Sequence, residues 1–320
     1  MTPAQAHWFA DTFGKLVANI ETAVVGKTHA VRLVLTSLLS EGHLLLEDVP
    51  GTGKTMLAKA LANTIQGTQT RIQFTPDLLP SDVTGVSILD PRTGRFEFHK
   101  GPIFSTVVVA DEINRASPKT QAALLEVMEE GRVSVDGVSH EVGSPFMVIA
   151  TQNPIEQAGT YRLPEAQLDR FLIKTSLGYP DHEHTVALLA DAVNRNRATR
   201  VSQLITSSAV VDMAALAAQV HVEPVVLSYI ARIAEETRRA PEVKLGVSVR
   251  GCLALVRTAK TWAASNGRHF VVPDDVKELA EPVLSHRIQL TPDAEFSGGS
   301  VSGVLARILA DLQTPTERVA

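Results

Sequence analysis

Four short stretches of the chain carry residue types that together could handle phosphate. The first, DVPGTGKT at residues 48–55, offers Gly51 and Gly53, whose backbone freedom lets N–H groups curl around phosphate oxygens. Lys54 then supplies a cation for the β and γ phosphates, and Thr55 a hydroxyl for Mg²⁺. The loop begins with Asp48, where the usual pattern has glycine. An aspartate cannot sit against phosphates without repulsion, so its side chain is expected to turn away, toward a backbone N–H of the loop. The second stretch, VVVADE at 107–112, is a β-branched run ending in two carboxylates: Asp111 to support Mg²⁺, Glu112 to orient and deprotonate a water. Successive residues on a strand point to opposite faces, so this pair works only if the chain turns at the strand end.

The third and fourth are less specific. Asn153, closing FMVIATQN, reads equally as an amide for the γ-phosphate or its attacking water and as a turn-forming residue before Pro154. Arg170, in LPEAQLDRF, reads as a solvated surface charge or as a cation delivered to a neighbouring subunit's γ-phosphate.

These residues need a scaffold that brings strand ends together. From residue 44 to about 180, apolar runs (LLLEDV, RIQFT, VVVADE, FMVIATQN, FLIKTSL) alternate with helical patterns such as TMLAKALANTI and QAALLEVMEE, which predicts a parallel sheet flanked by helices. The helix after GTGKT would aim its N-terminal N–H groups at the phosphates. Ser117, Pro118 and Gly131 predict the start and stop of another helix. Two stretches, 86–104 around Pro91, Thr93 and Gly94 and 131–142 around Asp136-Gly137, alternate with period two and predict β-hairpins inserted into the core. GYPDHEH, 178–184, is the expected junction to a helical second part, with helical spacing at 183–194, 209–219, 224–239, 250–265 and 273–284. The C-terminal LQTPTERVA is expected to fray.

Composition narrows the uses. A net charge of −5 gives the whole chain no reason to coat nucleic acid or an anionic membrane. The one cysteine, Cys252, excludes an internal disulfide and suits a reducing compartment as a small core residue. No run approaches the roughly 18 apolar residues of a membrane span, and the amphipathic N-terminus is not a signal peptide, so a cytoplasmic protein is expected.

In order and spacing, DVPGTGKT, VVVADE, ATQNP and EAQLDRF resemble an AAA+ ATPase. More narrowly, EDVPGTGKT, DEINRASPKTQAALLEVMEEGRVSVDG and TQNPIEQAGTYRLPEAQLDRF resemble the MoxR family, whose loop often carries Asp at this first position, and the likeness runs from about residue 24 to 288. The resemblance implies a P-loop AAA+ α/β core at 1–182 with a parallel sheet and two inserted β-hairpins, then a smaller all-α lid domain at 183–320. It implies ATP and Mg²⁺ as cofactors, with Pro50, Gly51, Thr52, Gly53, Lys54, Thr55 and Met56 around the nucleotide and Val25 and Gly26 on its adenine side. Lys54 and Thr55 resemble the Walker A pair, Asp111 and Glu112 the Walker B pair, Asn153 sensor one and Arg170 the arginine finger. Arg250 resembles sensor two, although Val249 and Gly251 replace the family's usual neighbours, and whether it serves its own nucleotide or the next subunit's stays open. Asn114 and Arg115 follow Glu112 as subunit contacts, as a link to the hairpins or as a plain loop.

The family further implies a homo-oligomeric ring, usually a hexamer, acting as a chaperone that remodels client proteins or helps them take up metal cofactors, with a von Willebrand factor A domain partner. A magnesium chelatase-like subunit is the nearest rival. A DNA motor would draw on Arg92, Arg95, His99 and Lys100 in the first hairpin, but Glu97, Asp136 and Glu141 lie among the hairpin charges and make nucleic acid an unfavoured partner. A nucleotide-gated scaffold with little turnover conflicts with an intact Glu112 and Arg170.

Overall fold

The computed structural model describes residues 1–49, 51–153, 160–190 and 200–315; Pro50, the end of the helical pattern at 191–194 and the tail 316–320 lie outside them. The apolar runs of the first part become strands β1 (Leu44–Glu47), β2 (Gln69–Gln73), β5 (Val107–Asp111), β8 (Met147–Gln152) and β9 (Ile173–Thr175), all parallel, in the order β2-β5-β8-β1-β9. Central strands covered on both faces need apolar side chains on both, which is why β5 and β8 read as continuous runs rather than alternations.

Between these strands run the two predicted hairpins. β3 (Gly85–Asp90) pairs with β4 (Arg95–Lys100), and β6 (Arg132–Val135) with β7 (Val138–Glu141) through Asp136-Gly137, both at positive φ as a two-residue hairpin turn requires. Phe98 of the first stacks on His140 of the second, ring centres 4.0 Å apart. Val86, Ile88, Leu89 and Phe96 of the first hairpin are exposed.

Helices cover the sheet on both sides. On one face lie α1 (Pro3–Glu21), α2 (Thr28–Leu39) and α3 (Lys54–Thr64); on the other are the short α4 (Pro80–Thr84) and α5 (Pro118–Glu130), which Ser117 caps and Gly131 ends in a left-handed turn. The short α6 (Glu165–Leu168) and α7 (His182–Ala190) precede the helical second part, α8 (Ser207–Ala217), α9 (Pro224–Arg239), α10 (Val249–Ser265) and α11 (Pro273–Leu284), close to the predicted spans. That part also carries a ribbon pairing Val243–Leu245 with Gln289–Leu290, strands too short to leave a periodic signal. Phe9, Phe13 and Leu16 of α1 join one apolar cluster with Leu255 and Ala259 of α10 and with α2 and α3, so the N-terminal helix ties the sheet to the later helices. Cys252 is half-buried against this cluster, and burial pushes its thiol pKa up.

A buried latch fixes the later helices on the core. Arg287, just after α11, donates from Nε to Asp169 Oδ1 at 2.6 Å and from Nη2 to the Phe171 carbonyl at 2.7 Å, with its side chain 3% exposed. Asp169 is the residue immediately before Arg170.

Candidate nucleotide site

In an open parallel sheet, ligands sit beyond the carboxyl ends of the strands, and here three neighbours deliver the predicted residues side by side. β1 runs into the glycine loop, β8 ends at Gln152 just before Asn153, and β5, on the far side of β8, ends in Asp111. Gly51, Thr52, Gly53, Lys54, Thr55, Met56, Asp111, Glu112 and Asn153 line one cavity of about 400 Å³, together with Arg71. Gly51 and Gly53 sit at φ 84° and 95°, in the left-handed region that a residue with a Cβ reaches only under strain. Helix α3 begins at Lys54 with no side-chain cap on its first turn, leaving those N–H groups for an anion. The Lys54 ammonium rests on the Asp48 and Val49 carbonyls at 3.1 and 3.3 Å.

The two acidic residues reach the same cavity because the chain turns sharply between them. Glu112 adopts φ 56°, ψ 49°, a left-handed conformation costly for a residue with a side chain. Its backbone N–H donates to Thr151 Oγ1 at 2.9 Å, and Thr151 donates to Asp111 Oδ1 at 2.6 Å, so one hydroxyl from β8 fixes both ends of the turn. The Glu112 carboxylate is held by Gln73 Nε2 at 3.1 Å and Arg115 Nη1 at 2.9 Å. Arg115 thus acts on Glu112 itself, while Asn114 is buried and its carbonyl accepts from the Tyr161 N–H.

Asp48 is buried and does turn from the loop's interior, but its donors are not in the loop. The carboxylate accepts the N–H groups of Leu177 and Gly178 at 2.5 and 3.0 Å, stapling the loop entrance to the segment after β9. A smaller apolar cavity of about 240 Å³ shares Gly51, Thr52, Gly53 and Met56 with the first and adds Val25 and Pro180. Gly26 next to it stands at φ 73°, and a Cβ there would lie 2.7 Å from the His184 ring.

Arg170 and Arg250 do not line either of these cavities. Both grip one carboxylate at the end of α5: Arg170 Nε lies 2.8 Å from Glu129 Oε2, and Arg250 donates to Oε1. Arg250, then Arg170, hold Glu129 below the usual carboxylate range. Sequence reasoning missed Glu129 as their common partner, and missed Arg71 and Gln73 as well. Arg71 and Gln73 stand at alternate positions of β2, opposite Val109 and Asp111; their spacing puts both on one face of the strand, but nothing local in the sequence sets that strand beside β5.

The described residues hold no cluster of three or more His, Cys, Asp or Glu suited to a metal. One hydroxyl, Thr55, and one carboxylate, Asp111, on a shared cavity suit a hard cation that brings most of its oxygens from phosphate and water.

Residues 43–173 match the model of the ATPase family associated with various cellular activities (AAA), and residues 235–308 match the AAA lid domain. The chain is 46% identical to the uncharacterized protein YeaC of Bacillus subtilis across 96% of both chains. It is 38% identical to the chaperone MoxR1 of Mycobacterium tuberculosis across 95% of this chain and 82% of that one. A crystal structure from Cytophaga hutchinsonii, proposed to be an ATPase, superposes with a TM-score of 0.91 at 36% identity, covering 98% of each chain.

Proposed function

Because the chain belongs to the MoxR family of AAA+ ATPases, we propose that it hydrolyses ATP in the cavity between the glycine loop and the ends of β5 and β8. The observation that carries this reading is the left-handed turn at Glu112, which lets two adjacent carboxylates face one cavity at the cost of backbone strain.

The chemistry is in-line attack of water on the γ-phosphate. Backbone N–H groups of the loop and the first turn of α3 cradle the phosphates, and the ammonium of Lys54 exchanges its two carbonyl partners for phosphate oxygens. Thr55 and Asp111 would hold Mg²⁺, which would supply charge neutralisation to the phosphates. Glu112, steadied by Gln73 and Arg115, orients the water and takes its proton, and the Asn153 amide bonds the γ-phosphate or that water. The apolar cavity at Val25 and Met56, beside Gly26, receives the adenine. Arg170 and Arg250, both turned to Glu129, serve the nucleotide of a neighbouring subunit in a homo-oligomeric ring, a hexamer in the family's usual form.

The energy is used as a chaperone's, remodelling client proteins or aiding metal-cofactor insertion with a von Willebrand factor A domain partner; the relative named chaperone MoxR1 supports this. A cytoplasmic location fits the lone Cys252. The test is a pair of variants. Lys54→Ala should lose nucleotide binding, whereas Glu112→Gln should bind ATP and release almost no phosphate; loss of binding in Glu112→Gln would overturn its assignment as the base. Trapping Glu112→Gln with ATP in extract then separates uses: a von Willebrand factor A protein supports the chaperone, nucleic acid the motor.

A further inference from the structure

Arg71 stands in the phosphate cavity and has no part in the chemistry above. Its Nε and Nη2 both donate to Asp111 Oδ2, at 3.1 and 2.5 Å, and Nη2 also donates to Gln73 Oε1 at 2.8 Å. The bonds close on themselves: Arg71 donates to Gln73, Gln73 to Glu112, the Glu112 N–H to Thr151 and Thr151 to Asp111, which also accepts from Arg71. Two donors fill the acceptor positions of Oδ2, and Thr151 takes one on Oδ1, so little of Asp111 is left for another cation.

A guanidinium and a divalent cation cannot share this carboxylate cheaply, because like charges a few ångströms apart in a partly desolvated cleft repel strongly. The two partners differ in freedom to move. Asp111 has 13% of its side chain exposed and is fixed by Thr151, whereas Arg71 is 48% exposed on a long stem. Arg71 is therefore the group that yields, and phosphate oxygens in the same cavity are the acceptors nearest in kind to the carboxylate it leaves.

We propose that Arg71 is a positioning residue that exchanges Asp111 for nucleotide phosphate as metal-bound nucleotide enters, and that this exchange sets the Mg²⁺ dependence of binding. The proposal rests on the reading that this cavity takes Mg²⁺–nucleotide. Arg71 then keeps Asp111 neutralised until metal and nucleotide come together, and it adds a cation to the phosphates from the same chain.

The experiment is binding of a fluorescent ATP analogue to the purified full chain, in EDTA and across a Mg²⁺ titration, for wild type, Arg71→Ala and Arg71→Lys. Removing the competing cation should lower the half-saturating Mg²⁺ concentration by about tenfold, the lower end of what a charge-assisted hydrogen bond is worth. In EDTA the same variant should bind more weakly than wild type, because bare Asp111 then faces the phosphates. Arg71→Lys keeps the charge without the two-nitrogen grip, so its midpoint should fall between the two; it carries the test if Arg71→Ala fails to fold. A midpoint unchanged or raised in the folded variants would overturn the proposal. Wild-type protein that fails to bind nucleotide with Mg²⁺ present would instead overturn the nucleotide-site reading.

Discussion

Arg170 and Arg250 point to Glu129 and stay out of the cavity lined by Lys54, Asp111 and Glu112 of their own chain, so on the proposed reading a complete site should need two subunits. Mixing two inactive variants tests this directly. Arg170→Ala keeps Glu112 but cannot serve its neighbour, and Glu112→Gln keeps Arg170 but cannot activate water. Alone, Arg170→Ala should fall by about a thousandfold, the scale on which a trans arginine acts in phosphoryl transfer. In a random equal mixture half the subunits carry Glu112, and half of those face a neighbour with Arg170, so about a quarter of the interfaces regain both groups. Phosphate release at fixed total protein should then approach a quarter of the wild-type rate, far above the sum of the separate variants. If Arg170 served its own nucleotide, no subunit in the mixture would hold both groups. A mixture no faster than its components, with rings formed, would refute the reasoning.

Three further outcomes are expected. Asp48→Ala leaves the buried N–H of Leu177 and the partly buried N–H of Gly178 without their acceptor, a loss of about 2–4 kcal/mol readable by urea unfolding, and Asp48→Asn should lose less. His43 is buried, donating from Nε2 to the Met128 carbonyl and accepting the Val148 N–H at Nδ1, and burial lowers its pKa to about 4. The unfolded chain binds that proton first, so the stability present above pH ~6.5 is lost as pH falls toward 4, by up to about 3 kcal/mol; His286, also lowered by burial, acts in the same direction. Unfolding at two pH values should show His43→Gln losing less than wild type on acidification. Arg287→Met removes the cation holding Asp169 and the Phe171 carbonyl, and should lower turnover while nucleotide binding by Lys54 and the loop persists.

What could be read from the sequence followed from burial. Strands covered on both faces announce themselves as unbroken apolar runs, so β1, β5 and β8 and the meeting of Lys54, Asp111 and Asn153 at their ends were legible, as were hairpins marked by Asp136-Gly137 and Gly94. The turn at Glu112 was deducible as a need: two adjacent carboxylates can share a site only if the strand ends between them. What was not legible depends on pairing between distant segments. Arg71 matters because β2 lies beside β5 in a register that sets Gln73 against Asp111, and no local pattern carries a register. Glu129 looks like any solvated helix charge until the residues after α6 and the start of α10 bring Arg170 and Arg250 to it from 41 and 121 positions away. Asp48 was expected to find its hydrogen bonds nearby, yet its donors lie 129 and 130 residues on.

The latch at Arg287 has a mechanical consequence. Its partner Asp169 adjoins Arg170 in the chain, Ser248 at the start of α10 donates to the same Asp169, and Arg250 in that helix shares Glu129 with Arg170. The later helices and the arginine-bearing edge of the core are therefore clamped as one lever. In a ring, any swing of those helices as one site fills or empties would shift the cations presented to the next, so information about occupancy would travel from subunit to subunit as displacement, with no separate relay required.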